Sequence, residues 1–410
     1  MLKSIDLFAG CGGLCDGFEQ SGKYITLGAV EWETAPVRQL RKRLHDKWRM
    51  KDADERVLCF DMQRTKELLK GWKDDPKFGS HKGLDACVGD NKIDVIIGGP
   101  PCQAYSIAGR VRDEHGMKED YRNYLFESYI AVVKHYKPKA FVFENVPGIL
   151  SAKPGDGSFL IIDRIREEFS KAGYDVLPDL AHAEVDMTEY GIPQNRHRVI
   201  ILGLSRKEYG KKTTEMLKRF YYEILPSYKE GIRTVRDAIG DLPPLYPLEE
   251  DIRVNGRHLS HELSSQEIEG HIPRFHSQRD IGIFQMLAED IESGRREFTS
   301  TKALKELYTE KTGKTSNVHK YHVCEWDEPS NLIPAHLYKD GLRHIHPDAK
   351  QARSITIREA ARLQTFDDDF EFGESATDAY KMIGNAVPPM FAKKLALAVA
   401  ELIDKKVGGD

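Results

Sequence analysis

Six short, nearly continuous apolar runs constrain this chain more than any other feature. They are 4-SIDLFAG-10, 25-ITLGAVEW-32, 57-VLCFDM-62, 93-IDVIIGG-99, 140-AFVFENV-146 and 198-RVIILGL-204. Runs this short and this apolar suit strands buried on both faces, because neither face is left to water. Helical patterns such as 124-YLFESYIAVVKHY-136 and 159-FLIIDRIREEFSKAG-173 lie between them. The alternation predicts an α/β fold with a doubly wound, Rossmann-like parallel sheet. A chain of 410 residues is long for one core, so two domains, or one with an insertion, are expected.

The rhythm breaks near residue 205. Residues 206–350 are polar and irregular, with Pro226, Pro243, Pro244, Pro247 and Pro273. Order returns at 355-ITIREAARLQTF-366 and 384-GNAVPPMFAKKLALAVAELI-403, where Pro388 and Pro389 suit a helix start. The expected division is therefore 1–205, an inserted smaller domain over 206–350, and a return over 351–410 whose last helix packs beside the first strand. Nine of the fifteen histidines fall in the irregular region, without metal-ligand spacing. They read as scattered surface and hydrogen-bonding groups, and no metal is expected.

Composition excludes little: net charge is −4, with 40% hydrophobic and 31% charged residues. A histone-like basic binder is ruled out, whereas a local basic cleft is not. The six cysteines form no CxxC pair, the opening residues read as a strand rather than a signal peptide, and no apolar run approaches a membrane span. A cytoplasmic protein with free thiols is the expectation.

Four segments carry chemistry. In 6-DLFAGCGGLCDG-17, Gly10, Gly12 and Gly13 let backbone approach a ligand at a strand end, and no Walker lysine follows. Asp6, Glu31 and Asp61 end the first three strands, a set suited to a ligand with ribose hydroxyls and positive charge. S-adenosylmethionine has both; a nicotinamide cofactor is the competitor, but its GxGxxG spacing is absent. In 98-GGPPCQAYS-106 two prolines stiffen the backbone before Cys102, a position that favours a nucleophile over a buried structural thiol. Glu144, in 144-ENVPG-148, leaves its strand at the same edge, where partial desolvation would raise its pKa and make it an acid. In 194-QNRHRVI-200, alternation puts Gln194, Arg196 and Arg198 on one strand face, able to grip a substrate or fix Glu144.

Together with FDM, ITIREAARLQTF and GNAVPP, these motifs resemble, in order, those of the DNA (cytosine-5) methyltransferase family. The resemblance implies a cofactor pocket for S-adenosyl-L-methionine made by Phe8, Ala9, Gly10, Cys11, Gly12, Gly13, Glu31, Trp32, Asp61, Met62, Gly99, Pro101, Leu125, Asn385 and Val387. It implies Cys102 as nucleophile, Glu144 at the cytosine N3 side, and Arg196 and Arg198 as supports of the base. A flipped-out base is required, since C6 is shielded in the stack. Two departures stand out: Pro100-Pro101 where Phe-Pro is frequent, and 366-FDD-368 where FPD is usual, which loosens a turn away from the chemistry.

The implied partner is double-stranded DNA, with a cognate restriction endonuclease as the family's common setting and a monomer as the expected state. The loop after Cys102, with Gln103, Ser106, Arg110, Arg112 and Arg122, suits a backbone clamp. In 295-RREFTSTKALKELYTEKTGKTSNVHKYH-322, Lys302, Lys311, Lys314 and Asn317 are candidate DNA contacts. An RNA cytosine-5 methyltransferase, a catalytically silent DNA-binding relative and a nicotinamide oxidoreductase are the alternatives.

Overall fold

The first strand, β1 (Leu2–Leu7), pairs in parallel on both sides, with β2 (Tyr24–Glu31) and with β4 (Val95–Gly98). In the computed structural model, which describes residues 1–101, 125–153, 159–254, 256–339, 341–373 and 375–404, the sheet extends outward from this pair. β3 (Val57–Cys59) adds to β2 and β5 (Ala140–Asn145) to β4, all parallel. β8 (His197–Ser205) closes the far side antiparallel to β5, and carries β6 (Tyr174–Val176) and β7 (Glu184–Asp186) on its other edge. The order is β3-β2-β1-β4-β5-β8-β6, with β7 paired to β8. The expected α/β fold with a parallel-rich central sheet is found. Ile5, Val95, Ile96, Phe141 and Val142 are all fully buried, as strands covered on both faces must be.

Helices cover the sheet: α1 (Gly13–Gln20), α2 (Thr34–Asp46), α3 (Leu125–Tyr136), α4 (Ile161–Lys171) and, from the end of the chain, α9 (Pro389–Asp404). A Cβ on Gly17 would lie 2.4 Å from the Ala392 Cβ, so only glycine allows α1 and α9 this close. The Tyr24 hydroxyl donates to the Ala396 carbonyl at 3.1 Å. The last helix thus packs against α1 and the start of β2.

Two compact units result, 1–190 with 197–230 and 386–410, and 191–196 with 231–385. The second takes in the short segment 191–196 and the long stretch 231–385. It holds the hairpin β9 (Pro247–Val254) and β10 (Arg257–His261), then α5 (Gln278–Glu292), α6 (Thr301–Thr312), α7 (Ile357–Leu363) and α8 (Ala376–Asn385). Phe284, Leu287, Leu307 and Ile345 lie in its apolar core. Beside α7 is a buried polar network. Arg353 grips Glu359 with two bonds of 2.7 Å, and Glu359 also closes a capping box with Thr356. The turn at Asp367 is pinned: Asp368 pairs with Arg362, and Arg358 donates to the Asp367 carbonyl at 3.2 Å. The proline of FPD is replaced there by ion pairs, so the turn is not loose.

Candidate active site

Parallel strands bring their carboxyl ends to one edge, and the edge of β1, β2, β4 and β5 collects the candidates of the first unit. After β1 the backbone turns sharply. Phe8 has φ +60°, which a bulky side chain rarely adopts, followed by Gly10 at +56° and Gly12 at +94°. Such strain persists where surrounding structure holds it, and gathers at functional sites. The three glycines do different work. A Cβ on Gly12 would meet the Leu40 side chain at 2.4 Å, and one on Gly13 the Val387 carbonyl at 2.3 Å. Those two serve packing, whereas nothing lies within 4 Å of a Cβ on Gly10. The side chains of Ala9 and Cys11 are buried.

Glu31 ends β2 with both carboxylate oxygens held. Gly10 N–H donates to Oε2 at 3.0 Å, and the N–H groups of Trp32 and Glu33 donate to Oε1 at 2.8 Å each. Burial raises its pKa, while those three N–H groups pull it back. Trp32 beside it is 45% exposed, unusual for an indole unless something covers it. Asp61 follows β3 and accepts the Gln63 N–H at 2.9 Å; Met62 next to it is buried.

Asp6 differs from the sequence expectation. It is fully buried, and neither carboxyl oxygen has a hydrogen-bond partner. Burial drives its pKa well up, the nearby Cys15 N–H opposes this without reaching hydrogen-bond geometry, and the charge of Glu31 adds to it. Asp6 is therefore buried within the fold with its pKa pushed up, rather than exposed at the strand end.

At the next strand end, Gly99 leaves space for Glu144: a Cβ there would sit 2.6 Å from Glu144 Oε2. Glu144 pairs with Arg198 at 2.9 Å, both largely shielded from water. The antiparallel register of β8, Ile200 opposite Glu144, makes this pair possible. Asn145 was not singled out in the sequence, yet its side chain donates to the Pro100 carbonyl at 3.3 Å, tying β5 to the Pro-Pro turn. Pro101 is exposed and Leu125 is buried at the start of α3. Cys102, Gln103, Ser106, Arg110, Arg112 and Arg122 lie outside the described residues.

Gln194 and Arg196 do not share a strand face with Arg198, because β8 starts at His197. Arg196 belongs to the second unit, buried, with its guanidinium directed at the carbonyls of Ile333 and Gly384 at 3.5 and 3.3 Å. Asn385 is exposed at the end of α8, and Val387 is buried in the first unit. Lys302, Lys311, Lys314 and Asn317 are exposed on α6 and the loop after it; Lys302 pairs with Glu306 at 3.8 Å and Lys311 with Glu310 at 2.9 Å.

Of the histidines read as scattered surface and hydrogen-bonding groups, five are buried and hydrogen-bonded: His261, His271, His276, His344 and His346. Burial pushes His261 down to about 4, and His276, His344 and His346 to about 3. Among the described residues no group of side chains could hold a metal ion. No described helix is long and apolar enough to cross a membrane.

A sequence model described as C-5 cytosine-specific DNA methylase matches residues 2–401. The chain is 34% identical to the type II methyltransferase M.Bpa9945I of Bacillus paralicheniformis, over 98% of this chain and 99% of that protein. It is 29% identical to the type II methyltransferase M1.HphI of Haemophilus parahaemolyticus, over 98% and 87% respectively. Among solved structures, the Dnmt2 methyltransferase of S. pombe superposes with a TM-score of 0.56 at 14% identity, over the full length of both chains. That likeness is one of fold.

Proposed function

The chain belongs to the C-5 cytosine-specific DNA methylase family, and we propose that it methylates C5 of a flipped-out cytosine in a short duplex sequence, using S-adenosylmethionine and a covalent Cys102 adduct. The observation that carries this reading is the strand-end edge itself. One open glycine, one held carboxylate and one exposed indole adjoin a carboxylate–arginine pair.

The edge fits the cofactor. Glu31 offers its remaining lone pairs to ribose hydroxyls, Asp61 can accept from an amine, and the open face of Gly10 admits a chain that a side chain would block. S-adenosylmethionine supplies an electrophilic sulfonium methyl. Cytosine C5 is too weak a nucleophile to take that methyl unaided. The Cys102 thiolate bonds to C6, which pushes electron density to C5; Glu144 at N3 steadies the charge, and Arg198 fixes Glu144. Transfer of the methyl to C5 would break its bond to the sulfonium and leave the thioether S-adenosylhomocysteine; C5 then loses its proton to a base, the C5–C6 double bond re-forms and the C6–Cys102 sulfur bond breaks. The base must leave the stack for this to occur.

The finer assignments belong to the same proposal. The residues after Cys102 clamp phosphates, and Lys302, Lys311, Lys314 and Asn317 contribute to target recognition by the second unit. The relatives' type II names support a restriction–modification setting with a cognate endonuclease. One experiment tests the core of it: a base-resolution map of 5-methylcytosine in a methylation-free bacterial host expressing the chain or its Cys102→Ala variant. Methylation of one short motif, absent in the variant, is expected. An unmethylated genome from soluble, folded protein would overturn the reading.

A further inference from the structure

The exposed indole of Trp32 has its own wall, in a hairpin that the family motifs do not include. Strands Trp72–Asp75 and Gly79–His81 form a small antiparallel pair after the Asp61 turn. Its turn is rigid. Asp75 Oδ1 accepts the N–H groups of Lys77 and Phe78 at 2.9 Å each, and the Trp72 indole N–H donates to the Phe78 carbonyl at 3.2 Å. Phe60 stacks on Trp72 at 3.8 Å and 18°. Arg64 links the hairpin to the Asp61 turn. Its guanidinium bonds Asp75 at 2.5 Å and lies 4.6 Å from the centre of the Phe60 ring, while its N–H donates to the Asp61 carbonyl at 3.1 Å.

That scaffold holds Lys77 in one place. Its ammonium lies 5.0 Å from the Trp32 ring centre and 4.7 Å from that of Phe78. The Trp32 backbone is fixed by its N–H bond to Glu31, but among the described residues no hydrogen bond reaches its indole nitrogen. A cation thus lies over one face of a ring that is 45% exposed.

We propose that Lys77, presented by the 72–81 hairpin, is a positioning residue that holds Trp32 ready for the adenosyl part of the cofactor. The inference rests on the reading of this edge as the cofactor site. Pre-setting an exposed ring reduces the ordering cost at binding. Attraction of a cation to an exposed ring corresponds to about a two- to fivefold change in affinity. Lys77→Met keeps the apolar stem and removes the charge, while Lys77→Arg keeps a cation suited to stacking.

The test is calorimetric binding of S-adenosylhomocysteine to the full chain, beside steady-state kinetics on duplex DNA. The wild-type affinity tests the cofactor site by itself. For Lys77→Met, Kd and the cofactor KM should rise about two- to fivefold with kcat little changed, and Lys77→Arg should restore both. In a Trp32→Ala background the Lys77→Met effect should vanish. Wild-type binding of S-adenosylhomocysteine with an unchanged Kd for Lys77→Met would overturn the proposal. So would an equal loss in Lys77→Met and Lys77→Arg, or an undiminished effect without Trp32.

Discussion

The strand-end edge of the first unit and the polar network of the second use the same kinds of side chain to opposite ends. Around α7, Arg353, Glu359, Gln351, Thr356 and His346 are buried and bonded to one another. Burial alone would raise the Glu359 pKa, yet the charge and hydrogen bonds of Arg353 hold it far below the usual carboxylate range. At the sheet edge, groups are left short. Asp6 has no partner, Phe8 is strained, Gly10 faces open space and Trp32 is exposed. A satisfied buried network specifies a structure, whereas an incompletely satisfied edge carries a cost that binding can offset.

If that contrast holds, removing one member of each arginine–carboxylate pair should fail differently. Arg353→Ala strands a buried carboxylate and should destabilise the protein by about 3–5 kcal/mol, read from denaturant unfolding. An unfolding midpoint like that of the wild type would contradict the network's role. Glu144→Gln should keep the fold and lower the methylation rate roughly 10²–10⁴-fold; a normal rate with a lost fold would reverse the comparison. The glycines offer a smaller version. Gly17→Ala meets the Ala392 Cβ at 2.4 Å and the Pro389 carbonyl at 2.5 Å, so it should cost about 1–3 kcal/mol of stability. Gly10→Ala meets no atom, and its φ of +56° should cost about 1–2 kcal/mol. Its larger signature should be weaker S-adenosylhomocysteine binding, measured by calorimetry.

The sequence made the edge legible and hid the network. Apolar runs ending in Gly, Asp or Glu mark strands and their loops locally, so β1 to β5 and the positions of Glu31, Asp61 and Glu144 could be read directly. Arg198 beside Glu144 was also readable as a support for it. Arg196 was not placed correctly, because alternation was carried past the true start of β8 at His197. Asp6 was read as a ligand-facing anion because nothing in its neighbours reveals that a strand end is roofed by its own loop. The buried histidines were equally opaque: His276 meets Ser354, and His271 meets Thr356, across 78 and 85 residues. Pairings that distant leave no periodicity to find. Asn145 and Lys77 act through contacts with other loops, which sequence spacing does not encode.

Acid and base should separate the two regions. The buried histidines are neutral in the fold, with His276 and His346 pushed down to about 3. A depressed folded pKa gives stability that is present above the unfolded value of about 6.5 and is lost as pH falls toward 3. Each contributes a slope of roughly 1.4 kcal/mol per pH unit over that window. Amide exchange resolved along the chain should therefore show residues 231–385 opening first on acidification, and His346→Gln should reduce the slope.

Asp6 should do the reverse. Its folded pKa is raised by burial, so its contribution is fully present below the unfolded carboxyl value of about 3.9 and is lost as pH climbs through the folded value. Above pH 4 the wild type therefore loses ground to a variant that cannot ionise. Asp6→Asn starts with a buried amide that has no better partners than the acid it replaces, so it should be no more stable than the wild type at pH 4. The stability difference should then shift in its favour as pH rises. A difference independent of pH would mean that Asp6 is charged in the fold and paired by some other route. The contrast between a satisfied network and an edge left short would then lose one of its supports.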